Sequence, residues 1–340
     1  MKAAWRRSCL GFAGLSLAIL ALVACWHPAA AAAGGLVGLV VGSALPLGSL
    51  LLALSLPLVD GAWRDTLGPG LRRGMTGLPG LSLMGLPVCL GLGLLYPWVG
   101  QTAEGFRGVY LSPSAFVVRQ LLYLAACLGL WRLALDGQPR RCGLGAIALV
   151  LVSTLAAYDW LMALDPRFLS TLFGLLLIVR QLLAALAFAG LLALATRPLA
   201  RPEVLRGLLL AGLLLWLYLH FMQYLIVWSV DLPDEIRWYQ RRSGAGWGGV
   251  GLLLGLGQIL LAAALGSPWG TRPGVLRFAC LGLLLGGLLE ALWLVLPALG
   301  DAAGGALPVA LGLLASLGYA ALLVALALGR DTRERTKEYR

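Results

Sequence analysis

Ten long apolar segments divide this sequence, and each is long enough to cross the hydrocarbon core of a bilayer. A transmembrane helix needs about 20 apolar residues, each rising ~1.5 Å. The segments are continuous rather than alternating, which favours helices over a β-barrel. They lie near residues 8–26, 35–59, 78–99, 114–135, 143–164, 169–195, 207–230, 246–266, 276–299 and 306–328. The sequence therefore predicts an all-α polytopic membrane protein with about ten transmembrane helices.

The composition excludes a soluble globular protein. Of the 340 residues, 60% are hydrophobic and only 12% are charged. A soluble domain cannot bury that much apolar surface. The connections between the apolar segments are also too short to hold a separate domain. Residues 1–340 are therefore predicted to form a single integral membrane domain.

The net charge is +11, and the basic residues are distributed as in a membrane protein and not as on a nucleic-acid-binding surface. Nineteen Lys and Arg residues lie in the N-terminus, in alternate loops and in the C-terminal tail, all on one predicted side. Only five lie on the other side: Arg107, Arg167, Arg237, Arg241 and Arg242. Cytoplasmic loops carry an excess of Lys and Arg. Both termini are therefore predicted to be cytoplasmic, and no nucleic-acid partner is expected.

The first apolar segment has two interpretations. Met1–Ala33 has the basic start, apolar middle and alanine-rich end of a signal peptide. Its apolar run is long for a signal peptide, which favours an uncleaved first helix. Among the connections, Ala29–Ala33 is interpreted as an extracytoplasmic link and Arg64–Gly77 as a cytoplasmic loop rich in Gly and Arg. The segments Gln101–Pro113 and Asp231–Gly246 are predicted to be outer loops.

The sequence lacks the usual ligands of redox cofactors. Its six cysteines show no CxxC spacing and lie mostly in apolar segments, which is typical of buried, inert thiols. Haem ligation by two histidines would need both inside the membrane, but the chain has only His27, in a loop, and His220. The chain is therefore predicted to bind no metal and no redox cofactor itself.

Five ionisable residues interrupt the apolar segments, in the outer half or near the centre of five different helices. They are Arg119, Asp159, Arg180, His220 and Glu290. Charged groups inside a bilayer are costly and rare. The pattern predicts an outward-facing pocket or proton half-channel in which Arg119 or Arg180 keeps a neighbouring carboxylate ionised. A purely structural salt bridge between packed helices is the alternative.

A polar and aromatic stripe follows the seventh segment. Trp216, His220, Gln223 and Tyr224 recur at helical spacing and are predicted to face the interior of the bundle. Trp228 and Trp238, by contrast, are typical of an interfacial aromatic belt.

The stretch Ala157–Gly174 forms the predicted junction between the fifth and sixth helices. Its Tyr158-Asp159-Trp160 closes one helix and is interpreted as buried. Pro166 lacks an amide donor and disfavours a helical Asp165, so the chain must turn there. Ser170 or Thr171 is expected to cap the following helix.

Two motifs support a family resemblance. The first is Asp159-Trp160-x-Met162-x-Leu164-Asp165-Pro166, followed by Ser170-Thr171-x-Phe173-Gly174. The second is Phe221-x-Gln223-x-Leu225-Ile226-x-Trp228 with Pro233-Asp234-Glu235 and Trp238-Tyr239. Over about residues 109–242 the chain resembles the quinone-binding membrane subunit 2 (F subunit) of alternative complex III, in the NrfD/polysulfide reductase C-like superfamily. Asp231 and Asp234 stand where Asn and Glu are expected in that family.

The resemblance implies two four-helix bundles. Spans two to five, about residues 35–164, would form the first bundle, and spans six to nine, about 169–299, the second. One helix would flank them at each end, the last at 306–328, followed by a basic cytoplasmic tail at 329–340.

The resemblance also implies a function. The family's complex is a quinol:cytochrome c oxidoreductase of the bacterial inner (cytoplasmic) membrane, and the subunit would bind no haem or cluster. Quinol would be the substrate. The partners would be membrane lipid, a sister membrane subunit, and periplasmic iron–sulfur and c-type cytochrome subunits. The candidate quinol or proton-transfer residues are Asp159, His220, Glu290, Arg119, Arg180, Tyr158, Gln223 and Tyr224. The candidate partner-contact residues are Asp165, Pro166, Asp231, Asp234 and Glu235.

Two other functions fit the sequence. A secondary transporter would also have many spans and polar groups at the midplane, but it is expected to show inverted repeats and interrupted helices. A structural or assembly anchor of a respiratory complex would use the same charges only for packing.

The charge asymmetry makes a testable topology prediction. Reporter fusions after Arg73, Arg141 and Arg206 and at the C-terminus should all report a cytoplasmic location, because these sites lie on the side rich in Lys and Arg. An external C-terminus would reverse the orientation.

Overall fold

The computed structural model describes residues 2–101, 105–196, 199–244, 246–303 and 305–338. Of these, residues 2, 3, 107, 301–303 and 330–338 are described by their backbone only. Several predicted topology charges therefore lie outside the described residues: Arg197 and Arg340 entirely, and the side chains of Lys2, Arg107, Arg330, Arg333, Arg335 and Lys337.

The described residues form α-helices and three short 3-10 turns, with no β-strand among them. The helices are α1 (Lys2–Ala24), α2 (Pro28–Ser55), α3 (Trp63–Gly74), α4 (Leu81–Leu90), α5 (Leu92–Leu95), α6 (Gly105–Tyr110), α7 (Pro113–Asp136), α8 (Pro139–Trp160), α9 (Phe173–Thr196), α10 (Pro202–Val230), α11 (Pro233–Ser243), α12 (Trp247–Gly266), α13 (Pro273–Val295) and α14 (Ala306–Glu338). Nine helices in this part of the chain are long and apolar enough to cross a membrane. The prediction of an all-α polytopic membrane protein is confirmed.

The predicted span at 78–99 differs from the others because it is not one continuous helix. It is split into a 3-10 turn, α4 and α5, and Pro87 and Gly91 mark the main interruption. Proline removes a helical hydrogen bond and glycine weakens a helix interior. The broken path still runs antiparallel to α2, with Pro87 against Gly35 and Gly91 against Ala32. Among the described residues this segment is therefore a pair of short helices beside α2, and a tenth crossing stays a prediction.

The prediction that Arg64–Gly77 is a loop is wrong, because most of this segment forms helix α3. Leu67 and Leu71 lie one turn apart and are fully buried, where α3 packs against α2 and α9. The helix is amphipathic, and this apolar stripe decides the packing despite the internal Pro69. Its glycines are part of this packing, with Gly70 against Ala189 of α9 and Gly74 against Ser49 of α2.

The predicted extracytoplasmic link Ala29–Ala33 is also wrong, because it forms the first turns of α2. Pro28 occupies the first helical position, where its missing amide hydrogen costs nothing. Alanine is the strongest helix former. Ala30 to Ala33 are buried, so the actual connection is the short turn before His27.

The centre of the protein is the close pair formed by α2 and α9. A Cβ atom added at Gly48 of α2 would overlap the backbone carbonyl of Gln181 of α9, so the two backbones are in direct contact. Small residues allow such approach between membrane helices. On another face of α2, Gly34 and Gly38 receive Leu311 and Ala315 of α14 in the same way.

The helices form two groups, and each group contains one helix of this pair. α2, the α3–α5 path, α7 and α8 pack together, and α9, α10, α12 and α13 form a ring of four. α14 packs against α2, and α1 packs along α14. Gly318 lies against Ser16 and Gly329 against Arg6, so α1 and α14 run antiparallel and bring both termini to the same side. The predicted tail from residue 329 continues α14 as helix to Glu338.

The close contact at Gly48 predicts a strong effect of a small substitution. Gly48→Ala should lower the unfolding free energy by about 1–3 kcal/mol or more, because its methyl group would press on backbone rather than on a movable side chain. The measurement is thermal unfolding of the purified protein in detergent. Gly257→Ala is the matched control, since a Cβ at this position in α12 meets nothing within 4 Å. Equal melting temperatures for both variants would contradict the α2–α9 contact.

Candidate functional site

The carboxylate of Asp159, near the end of α8, is held by three residues of α6 and α7. Arg119 Nε lies 2.8 Å from Oδ2 and Arg119 Nη2 lies 3.0 Å from Oδ1, a bidentate pair. The Tyr123 hydroxyl donates to Oδ2 at 2.7 Å and the Tyr110 hydroxyl donates to Oδ1 at 3.1 Å. Each oxygen therefore accepts two hydrogen bonds.

This arrangement leaves Asp159 no free acceptor position. An ionised carboxylate offers about four lone-pair sites, and four donors occupy them here. Asp159 is only 2% exposed. Burial and the Asp159 charge raise the pKa of the Tyr110 hydroxyl to about 12, so it remains a donor. The geometry fits a structural lock that ties α8 to α6 and α7.

Glu290 of α13 forms a second polar cluster with residues of α9 and α10. Trp216 Nε1 donates to Glu290, 3.0 Å from Oε2 and 3.2 Å from Oε1. His220 Nε2 lies 3.2 Å from Oε1, and Arg180 Nε lies 3.5 Å from Oε2. Glu290 and Arg180 are both buried. The His220 ring stacks on Trp216, with ring centroids 3.9 Å apart.

The surroundings of His220 determine where its protons lie. His220 Nδ1 is 3.0 Å from the carbonyl oxygen of Trp216, which only accepts hydrogen bonds, so Nδ1 carries a proton. His220 Nε2 lies 3.2 Å from Glu290 Oε1, which is close enough for a hydrogen bond between the imidazole and the carboxylate.

Arg180 and Glu290 balance one another's charge within this cluster. Paired charges are tolerated inside a membrane where isolated ones are not. Glu290 therefore has its counter-charge inside the bundle.

A cavity of about 990 Å³ lies beside the Glu290 cluster. Arg180, Trp216, His220 and Glu290 all line it, whereas Asp159 does not. Most of the remaining wall is apolar, for example Val40 and Leu45 of α2, Leu177 and Ala184 of α9, Leu284 of α13 and Leu323 of α14. Pockets of this size with a few convergent polar groups are typical of ligand sites.

The structure separates the candidate residues into two networks. Asp159 and Arg119 lie on α8 and α7, and they share no hydrogen-bond partner with His220 or Glu290 among the described residues. Gln223 is buried, lines the cavity and accepts the hydroxyl of Ser170.

Two candidates are more exposed than predicted. Tyr224 is 51% exposed, because it lies about 100° around α10 from the buried Gln223. Tyr158 is only half-buried, because it points away from the Asp159 side of α8. Neither Ser170 nor Thr171 occupies the cap position of α9, which begins at Phe173.

The residues of the outer motifs lie on the junctions next to α11. Asp165 is buried and pairs with Arg241, with Oδ2 and Nη1 3.0 Å apart, while Pro166 forms the adjoining turn as predicted. Asp231 ends α10 in the left-handed region, with φ 56°, a conformation that Asp and Asn both tolerate. Asp234 and Glu235 begin α11, where the helix dipole favours acidic residues.

The interfacial interpretation stays a prediction for Trp228 and is wrong for Trp238. Trp228 is exposed, whereas Trp238 is buried between Phe168 and the Arg242 guanidinium, whose carbon is 3.6 Å from the ring centroid. Arg242 also donates to the carbonyls of Trp238 and Leu294. Burial lowers the pKa of Arg242 to about 9, with Asp165 opposing the shift. Trp238 thus anchors α11 rather than facing lipid.

Sequence reasoning missed a glycine pair on α13, of which Gly287 shapes the Glu290 cluster. Gly286 and Gly287 lie one turn before Glu290 on α13, and a Cβ atom at either would overlap a polar side chain, Gln258 or Arg180 respectively. A glycine pair three and four residues before a buried acid was the available signal, because those spacings share a helix face.

Comparison with the models of known protein families and with curated proteins finds no match to this sequence. The resemblance to the alternative complex III subunit therefore depends on the two sequence motifs alone.

The saturated hydrogen bonds of Asp159 predict a stability effect. Asp159→Asn should lower the unfolding free energy by about 3–5 kcal/mol, because it leaves the partly buried Arg119 without its counter-charge. The Asp159→Asn/Arg119→Gln double variant should lose less than the two single variants together. Thermal unfolding in detergent measures this coupling. Asp234→Asn, at an exposed ion pair, is the control and should have little effect.

Proposed function

We propose that this chain is an integral membrane subunit of a respiratory quinol:cytochrome c oxidoreductase of the alternative complex III type. It contributes to quinol binding and proton transfer near the periplasmic face of a bacterial inner membrane. The observation that supports this proposal best is the cavity of about 990 Å³ beside Glu290 and His220. Its apolar wall suits a lipid-soluble molecule, and its polar cluster suits an oxygenated ring.

The chemistry of quinol oxidation matches the cluster. A quinol that becomes a quinone releases two electrons and two protons. Glu290, paired with Arg180, accepts the first proton and shares it with His220 Nε2. The pair then passes that proton outward before it accepts the second one. A group placed within hydrogen-bond reach of the reacting hydroxyl is what such proton transfer needs.

The electrons have to leave through partner proteins. Among the described residues, no group of His, Cys, Asp and Glu is arranged to hold a metal ion. By the resemblance, the acceptor is a periplasmic iron–sulfur subunit, which passes electrons to c-type cytochromes. The surface residues Asp231, Asp234 and Glu235 are proposed partner contacts, because they lie at the exposed α10–α11 junction. A sister membrane subunit completes the membrane part.

The two alternative functions have less support. A transporter is expected to place interrupted helices around its site, but the interruption at Gly91 packs against α2. The described cavity-lining residues include none from α4 or α5. A purely structural anchor accounts for Asp159, but it gives no reason for the cavity beside Glu290.

Purification from native membranes tests the assembly. An affinity-tagged chain should co-purify with subunits that contain c-type haem and iron–sulfur clusters, and the preparation should reduce cytochrome c with quinol. A chain that purifies alone and shows ion- or solute-driven transport in vesicles would instead support the transporter.

The role of the Glu290 cluster is tested within that complex. Glu290→Gln and His220→Gln keep size and hydrogen bonding but remove the titrating groups, so each should lower quinol:cytochrome c turnover by about 10²-fold or more. Complex abundance should stay near normal for His220→Gln. Glu290→Gln leaves the buried Arg180 without its counter-charge and should lower abundance, so turnover is expressed per assembled complex.

Gln258→Asn is the matched control, since Gln258 is a buried polar residue of the same bundle that does not line the cavity. Normal turnover in fully assembled Glu290 and His220 variants would rule out proton transfer through this pair.

A further inference from the structure

The cavity beside the Glu290 cluster continues along the bundle as an apolar tract. Arg180 marks the level of the cluster on α9, and Leu192, which also lines the cavity, lies twelve residues or ~18 Å farther along that helix. Arg73 of α3 lines the cavity near that end, because Gly77 a turn later contacts Leu323 of α14. The tract is lined by Ala184, Phe188 and Leu192 of α9 and by Leu323, Val324, Ala327 and Leu328 of α14.

One side of the cavity is open to the lipid between α13 and α14. Leu285 of α13 and Leu317 of α14 line the cavity, yet they are 58% and 59% exposed. Ala320 and Val324 also line it and are exposed, and with Leu317 they share one face of α14 at i, i+3 and i+7. α13 and α14 make few contacts with each other, because α14 packs mainly against α2 and α1. A molecule dissolved in the hydrocarbon can therefore reach the cavity without passing through water.

The charges around the cavity decide which kind of lipid fits it. Arg180 and Glu290 already balance one another's charge, so an anionic headgroup beside them would add an unpaired charge inside the membrane, which is costly. A neutral oxygenated ring on an apolar chain adds no charge. His220 offers such a ring a contact, because it lines the cavity and its side chain is 23% exposed.

We propose that the apolar tract holds the isoprenoid tail of a lipid-soluble quinone, which enters between α13 and α14 and whose ring lies beside His220. This inference rests on the proposed function. The tail then points toward the C-terminal ends of α9 and α14, and the ring oxygens face the Glu290 cluster. A phospholipid with its headgroup near Arg73 is the competing occupant.

Photo-crosslinking with two ubiquinone analogues tests this placement. One analogue carries an azido group on the ring, and the other carries it at the end of the isoprenoid tail. The protein is the full-length chain in lipid nanodiscs, and the labelled peptides are identified by mass spectrometry. The ring probe should label α10 around Trp216–Phe221. The tail probe should label α9 near Phe188 or α14 near Leu323. Excess unlabelled ubiquinone should suppress both reactions.

Tryptophan substitutions at the opening test the route of entry. Leu285→Trp places an indole ring between α13 and α14 and should lower labelling by both probes roughly fivefold or more, because it fills the space that the ligand needs. Leu281→Trp is the matched control, since Leu281 lies one turn away on the same helix and is also 58% exposed but does not line the cavity.

The same comparison is available on α14. Ala320→Trp should lower labelling like Leu285→Trp, whereas Ala310→Trp, at an exposed position of the same helix that does not line the cavity, should leave it unchanged. All four substituted positions are exposed, so the variants should fold like the original protein, and their melting temperatures check this.

The outcomes distinguish the two proposals. If the ring probe labels α10 but the tail probe labels other helices, or if Leu285→Trp is labelled as strongly as Leu281→Trp, the assignment of the tail and its entry is wrong while the proposed quinol site stands. If neither probe gives labelling that unlabelled ubiquinone suppresses, the proposed quinol site is wrong and the tail assignment fails with it. Phospholipid retained stoichiometrically by the purified chain would then identify the competing occupant.

Discussion

The backbone contact between α2 and α9 is the constraint on which the rest of the structure depends. Between membrane helices there is little hydrophobic driving force, so close packing has to supply the attraction. Gly48 lets the two helices touch along their backbones. α3, α8 and α13 then pack against both helices of the pair, and α14 packs against α2. The position of Arg180 is fixed in the same way, because it lies on α9 just before Gln181, the residue that Gly48 contacts.

A second constraint is that each buried charge must find a partner within the bundle. The structure meets it differently in its two halves. In the first bundle, Arg119 and Asp159 satisfy one another with the help of two tyrosines. In the second bundle, Arg180 Nε and Glu290 Oε2 are 3.5 Å apart, and Arg180 Nε and Nη1 have no hydrogen-bond partner among the described residues. The looser pair is the one that lies next to the cavity.

Hydropathy predicted the membrane class and nine of the spans well, because long apolar segments leave few alternatives in a bilayer. It failed where local composition and packing disagree. Arg64–Gly77 has the Gly and Arg content of a loop, but two buried leucines one turn apart make it helix. Ala29–Ala33 was interpreted as a short link, but Pro28 starts a helix there, alanine favours it, and burial against other helices holds it as part of α2.

The candidate site was predictable in its residues but not in its grouping. Single intramembrane charges identify themselves in the sequence, so Arg119, Asp159, Arg180, His220 and Glu290 were all recognised. The depth of a residue along its helix does not determine which side of the helix it lies on or which neighbouring helix it contacts. Tyr224 shows this limit. It follows Gln223 on α10, and the step of ~100° between neighbouring residues places Gln223 on the cavity side and Tyr224 on the exposed side. Gly287 was missed because it contributes no side chain of its own, and the Arg180 guanidinium occupies the space that a side chain would fill.

The comparison of the two carboxylates shows why burial alone does not identify a functional acid. Asp159 and Glu290 are almost equally buried, and each faces an arginine. All four acceptor positions of Asp159 are used by donors of Arg119, Tyr123 and Tyr110. Glu290 instead lies within hydrogen-bond distance of His220, whose other nitrogen is committed to a backbone carbonyl. A proton can therefore arrive at Glu290 by exchange within the pair, whereas at Asp159 it would have to displace an existing donor. The difference lies in the partners of each carboxylate, and it is the reason that the proposed proton transfer involves Glu290 and not Asp159.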